Sequence, residues 1–176
     1  MRRISVGAVL ALLAVVSLVV LSGASADEGG TSLRASLSGF QESPPKLSPG
    51  SGTFTATLFN DHLNYKLTYR GLSSDAFMAH IHFGQRAVSA GILIWLCQSA
   101  TAPSPTAGVP MCPAGGGTVT GTATAASVLN VAGQTLTSGN FSDAIAIIKS
   151  GDAYVNVHTT NFKAGEIRGQ LQVEGE

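Results

Sequence analysis

Residues 53–69 read Thr-Phe-Thr-Ala-Thr-Leu-Phe-Asn-Asp-His-Leu-Asn-Tyr-Lys-Leu-Thr-Tyr. Phe54, Ala56 and Leu58 alternate with Thr53, Thr55 and Thr57, and Leu63, Tyr65, Leu67 and Tyr69 alternate with Asn64, Lys66 and Thr68. An apolar residue at every second position is the period of a half-buried β-strand, because successive side chains leave opposite faces. Asn60-Asp61-His62 lies between the two runs and reads as the turn of a hairpin. The same period extends outward in both directions.

Upstream, Thr31 to Leu37 places Leu33, Ala35 and Leu37 on one face, and the Pro-containing stretch from Gln41 to Ser51 reads as an extended loop. Downstream, Ala76 to Phe83, Ile92 to Leu96, Thr118 to Thr124, Ala153 to His158 and Glu166 to Val173 read as strands. The run Ile92 to Leu96 is apolar on both faces and is expected at the centre of a sheet. One helix is predicted, capped by Asn140 or Ser142, carrying Phe141, Ile145 and Ile148, with Gly151 just past its end. Gly115 to Gly117 opens no helix after a strand, so it is a turn rather than a phosphate-binding loop. About eight short strands and one short helix define an all-β class, an antiparallel sandwich or barrel.

Composition supports this class and removes others. Only 11% of the 176 residues are charged and the formal net charge is zero, so no basic excess exists to neutralise nucleic-acid phosphates. Hydrophobic residues make up 44%, well above what disordered chains carry. Residues 1–26 read as a signal peptide. Arg2 and Arg3 precede the apolar run Val6 to Leu21, and Ala24-Ser25-Ala26 supplies the small residues a signal peptidase reads. The expectation is an exported protein, secreted or periplasmic, with residues 27–176 forming one domain and no membrane attachment after cleavage. Cys97 and Cys112 are the sole cysteines, and export makes a disulfide the expected state. Their spacing is too wide for the C-x-x-C pattern of redox and many metal sites.

The candidate chemistry lies in the histidines. His80 and His82 leave one face of their strand while Ala79, Ile81 and Phe83 take the other, and Met78 shares the histidine side. In the strand ending at His158, Val155 and Val157 are apolar-side residues, which leaves Asn156 and His158 on the polar side. If the two strands approach, three imidazoles converge on one surface, a donor set suited to Cu(II) and, less so, to Zn(II). Affinity is then expected to fall below about pH 6.5, where free imidazole protonates. The competing reading is three histidines on a solvated polar face. His62, in the hairpin turn, is expected only to meet water, and Glu166 and Arg168 to form a solvated same-face pair.

Several separated motifs resemble the chordin-type (CHRD) domain. They are Gly39-Phe40-Gln41-Glu42-Ser43-Pro44-Pro45, Gly52-Thr53-Phe54-Thr55-Ala56, Gly71-Leu72, Ala79-His80-Ile81-His82, Tyr154 to Thr159 and Gly165 to Leu171. They span about residues 33 to 173 in the family's order. The resemblance implies an exported binding or interaction module with an extracellular protein partner. A more distant similarity links Gly71-Leu72, His80 to Gly84 and Val155 to His158 to the copper-binding strands of copper/zinc superoxide dismutases. It implies a Greek-key arrangement and a copper-only site. The chain has four histidines and lacks counterparts of the bridging His and the zinc loop, so full dismutase activity is not implied. The leading expectation is a non-enzymatic module binding copper through His80, His82 and His158. The alternatives are a copper-dependent redox enzyme and a purely structural extracellular domain.

Overall fold

The computed structural model describes Met1 and residues 29–175. The expected signal peptide falls almost wholly outside the described residues. No helix among the described residues is long and apolar enough to cross a membrane.

Among the described residues nine strands form one sheet: β1 (Thr31–Ser38), β2 (Ser51–Leu58), β3 (His62–Arg70), β4 (Ala76–Phe83), β5 (Ile92–Cys97), β6 (Gly117–Thr124), β7 (Ala153–Thr159), β8 (Ile167–Gln170) and β9 (Gln172–Val173). The spatial order is β5-β4-β7-β8-β1-β2-β3-β6, with β9 beside β1, and every strand pair is antiparallel. β6, β5 and β4 follow one another around the wall, with β3 beside β6 and β7 beside β4, which is the Greek-key pattern. The two ends of the path, β5 and β6, come together to give a nearly closed barrel. The Tyr65 hydroxyl on β3 reaches across this seam and donates to the Leu96 carbonyl of β5 at 2.8 Å.

The β2–β3 hairpin has its expected register. Phe54 faces Leu67 and Ala56 faces Tyr65, so alternate residues enter the core together. Leu33, Phe54, Leu63, Leu67, Ile81 and Val155 all meet in one buried interior. The predicted helix is α1 (Phe141–Lys149), and Asn140 is its cap, its side chain accepting from the Asp143 backbone N–H. Its buried face is Phe141, Ala144, Ile147 and Ile148, with Ile145 only partly covered.

Two expectations about strands need correction. β5 is not central but the terminal strand of the path. Its apolar faces are covered all the same, because the barrel curls and the 128–131 segment closes its free edge, with Leu129 N–H donating to Leu93 O. The last strand, expected to run unbroken to Val173, divides at Leu171. Up to that residue the chain bonds to β7, with Leu171 N–H reaching Ala153 O, and after it Gln172 and Val173 pair with β1.

Cys97 and Cys112 are joined in a disulfide that closes the loop after β5. Loop closure over a separation of 15 residues stabilises the fold by about 3 kcal/mol in the chain-entropy model. Reduction is therefore expected to lower the denaturant midpoint by that equivalent. A thiol titration of unfolded, unreduced protein that finds two free thiols would contradict the bond.

Candidate metal centre

The inward residues of β4 and β7 are apolar, as the alternation requires, so their histidines project from the outer wall of the barrel. That outer wall is not solvated. His80, His82 and His158 are 0%, 6% and 5% exposed. The 84–91 loop between β4 and β5 covers the His82 end, fastened by outward side chains, while Trp95 lies against His80 and the Lys163 carbonyl against His158. His82 donates to Ala90 O, Arg168 to Gln85 O and Gln170 to Gly84 O, while the Tyr154 hydroxyl accepts from Ala90 N–H. Ser43 ties the 39–50 segment to the same loop through Ala87 O.

β4 and β7 are neighbours, with Met78 opposite His158, His80 opposite Asn156 and His82 opposite Tyr154. This register brings the three predicted histidines together: one ring nitrogen from each falls in a group whose members lie within 4.8 Å of one another. His80 Nδ1 is 3.1 Å from His158 Nε2. His62 is elsewhere, against Asp61 at 2.6 Å and stacked on Phe59.

Hydrogen bonding fixes which nitrogens are free. His82 Nδ1 lies 2.9 Å from Ala90 O and His158 Nδ1 2.9 Å from Lys163 O. A carbonyl only accepts, so both Nδ1 atoms carry protons and both Nε2 atoms keep their lone pairs. A backbone carbonyl holding the distal N–H is the usual support of a metal-ligating imidazole. His80 Nδ1 must then donate to His158 Nε2, and a metal would require that proton to move to His80 Nε2. His82 Nε2 is buried and has no hydrogen-bond partner among the described residues. A buried acceptor without a partner costs free energy, and a bound cation would satisfy it.

Burial moves the titration of these rings. It pushes His80 down to about 2, with the neighbouring His158 and His82 adding to the effect. Burial likewise pushes His158 down to about 4 against the raising influence of the Lys163 carbonyl, and lowers His82 despite the Ala90 carbonyl. The expected loss of affinity below pH 6.5 is therefore displaced to lower pH. The rings stay neutral where free imidazole would already be protonated.

Glu166 and Arg168 are not a solvated pair. Both are buried, at 0% and 2% exposure, and they serve different neighbourhoods. The Glu166 carboxylate accepts from Ser48 Oγ, Ser73 N–H, Ser73 Oγ and Thr159 Oγ1. Burial alone would raise its pKa, but these bonds outweigh it and hold the carboxyl below the usual range. Arg168 lies 3.3 Å over the Tyr154 ring. His82 stacks on that same ring at 4.7 Å and 3°. Since β4 and β8 flank β7 on opposite sides, Tyr154 separates the arginine from the imidazole.

Sequence reasoning did not single out Glu42, Tyr154 or Trp95. Glu42 is 6% exposed, and burial pushes its carboxyl up to about 7 against the lowering influence of Arg168. Gly165, at φ +124°, lets the backbone pass close to Glu42 and Asn156, where a Cβ would collide with the carboxylate. Trp95 sits opposite His80 in register and packs edge-on against it, with centroids 4.3 Å apart. The alternation of β7 already put Tyr154 on the histidine side. For Glu42 the sole signal was a carboxylate inside a Pro-containing loop.

The chain is thus a Greek-key barrel that carries three buried imidazoles on an outer wall roofed by loops. A family model for the CHRD domain matches residues 33–171, and the chain belongs to that family. Comparison with curated proteins and with solved structures returns no match.

Proposed function

We propose that the chain is an exported binding module whose outer-wall centre takes Cu(II) through His80 Nδ1, His82 Nε2 and His158 Nε2. The observation that carries the reading is the unpartnered, buried His82 Nε2 beside two further imidazole nitrogens. Two nitrogens that share one metal at bond lengths of 2.0–2.1 Å stand about 2.9–3.3 Å apart. The 3.1 Å between His80 and His158 falls inside that range. Nitrogen donors without thiolate favour copper over zinc by the Irving–Williams order. When bound, copper supplies a Lewis-acidic, redox-active ion; the chain supplies neutral imidazoles, fixes two of their tautomers through Ala90 and Lys163, and excludes water. The CHRD family membership supports the module reading, and residues 1–26 as a cleaved signal and residues 27–176 as one domain complete it.

Titration with Cu(II), followed by electron paramagnetic resonance, tests the centre. Wild type should give a nitrogen-ligated signal at one equivalent. His80→Ala, His82→Ala and His158→Ala should each weaken binding by roughly 100-fold or more, since even outer partners of a ligand are worth 10–100-fold. His62→Ala should bind as wild type does. Absence of the nitrogen signal in wild type, or its loss in His62→Ala alone, would refute the site.

A further inference from the structure

A cleft of about 250 Å³ opens beside the candidate centre, between the 39–45 segment and the 84–91 loop. Its polar lining includes Arg168, Arg86 and Gln170, and its apolar lining Phe40, Pro45 and Ala87. Arg168 is the unusual member. It is 2% exposed, yet among the described residues its guanidinium finds one hydrogen-bond acceptor, Gln85 O. The ion pairs among the described residues are Arg34–Glu174 and Asp61–His62, and neither includes it. The buried Glu42 carboxyl acts on it without forming an ion pair, so the guanidinium, with five donors and one acceptor, keeps donors for a ligand. Opposite these groups, Phe40 is 70% exposed, an aromatic ring left in water at the cleft's lip.

We propose that this cleft binds a carboxylate carrying an apolar group. Arg168 and Arg86 take the carboxylate, and Phe40 and Pro45 cover the apolar part. A planar guanidinium fork matches a carboxylate's two oxygens, and the aromatic rim gains from burial. Glu42 also lines the cleft, and its raised pKa leaves it mostly neutral at pH 6, so it repels an incoming anion little there. The site needs no metal and stands apart from the copper reading. Its carboxylate can come from a small organic acid or from the C-terminus of a polypeptide.

The test uses metal-free protein at pH 6 and amide correlation spectra. Benzoate should give saturable shifts at Gln41, Ala87 and Gln170 and bind more tightly than acetate. Benzamide, which has the ring without the charge, should bind roughly tenfold more weakly. Arg86→Ala should weaken benzoate roughly tenfold, and Phe40→Ala should bring it to the level of acetate. Both side chains are at the lip, so these variants keep the fold even if Arg168→Lys does not. A pentapeptide ending in Phe, as free acid and as amide, identifies the source. A free acid tighter than benzoate indicates a chain terminus and a weaker one a small acid, and either supports the carboxylate site. No saturable shift up to about 10 mM benzoate, equal binding of benzoate and benzamide, or unchanged affinity in Arg86→Ala would overturn it.

Discussion

Metal-free protein should lose stability on acidification from pH 7 to pH 5, and the loss should be larger in Glu42→Gln than in wild type. The folded state holds His80 near 2 and His158 near 4, whereas an unfolded imidazole titrates at 6.5. Between those values the unfolded chain binds protons that the folded chain refuses, so stability falls as pH drops below 6.5. At 1.36 kcal/mol per pH unit and group, the two rings lose roughly 4 kcal/mol by pH 5. Glu42 has the opposite sign. Its folded pKa is raised from 4.5 to about 7, so its contribution is complete below 4.5 and disappears as pH rises through 7. It returns roughly 2–3 kcal/mol over the same interval. Urea unfolding at both pH values should show a fall of roughly 1–2 kcal/mol in wild type and roughly 4 kcal/mol in Glu42→Gln. Equal falls in the two proteins would show that Glu42 does not titrate as its burial dictates, and a fall well below roughly 4 kcal/mol in Glu42→Gln would show the same for the histidines.

Glu166→Ala should be among the most damaging single substitutions in the chain. The carboxylate gathers donors from the Pro-containing loop at Ser48, the β3–β4 connection at Ser73 and the end of β7 at Thr159. Truncation leaves four donors without their acceptor; Thr159 is buried and Ser48 half-buried, at about 1–3 kcal/mol for each buried group left unsatisfied, while Ser73 is exposed and can turn to water. Allowing for relaxation, about 4 kcal/mol is expected, a fall in Tm of roughly 10 °C for a domain of this size. Glu166→Gln should lose less, because one oxygen survives. The two proteins also separate in acid. The carboxyl's depressed pKa gives stability above 4.5 that is lost as pH falls through the folded value, and Glu166→Gln lacks that dependence. A Tm within about 3 °C of wild type for Glu166→Ala would mean that the three segments hold without it.

The barrel was legible wherever one face met the core and the other met water. β2 and β3 announce themselves through Phe54, Leu67 and Tyr65 because that condition holds along their whole length. It fails for β5, whose apolar residues on both faces read the same at the centre of a sheet as at a covered edge. It fails again on the outer wall of β4, β7 and β8. There the polar alternation of His80, His82, Asn156 and Arg168 is real, but the roof that buries those residues comes from loops without any period. Sidedness placed His158 with His80 and His82; adjacency of strands 70 residues apart in the chain carries no local signal. The carbonyls of Ala90 and Lys163 could not be read at all, since every residue has one. Glu166 looked like a surface charge because its partners are four ordinary donors rather than a cation.

The histidines and Arg168 stand on the outside of the cylinder, under loops, while the cylinder's interior is filled by Leu33, Phe54, Ile81 and their neighbours. Durability and recognition are thus assigned to different parts of the chain. The 39–50 and 84–91 segments contribute no residue to that interior. An architecture divided in this way can keep its frame while exchanging its guests, and grafting another roof onto these strands is the most direct way to give the scaffold a new specificity.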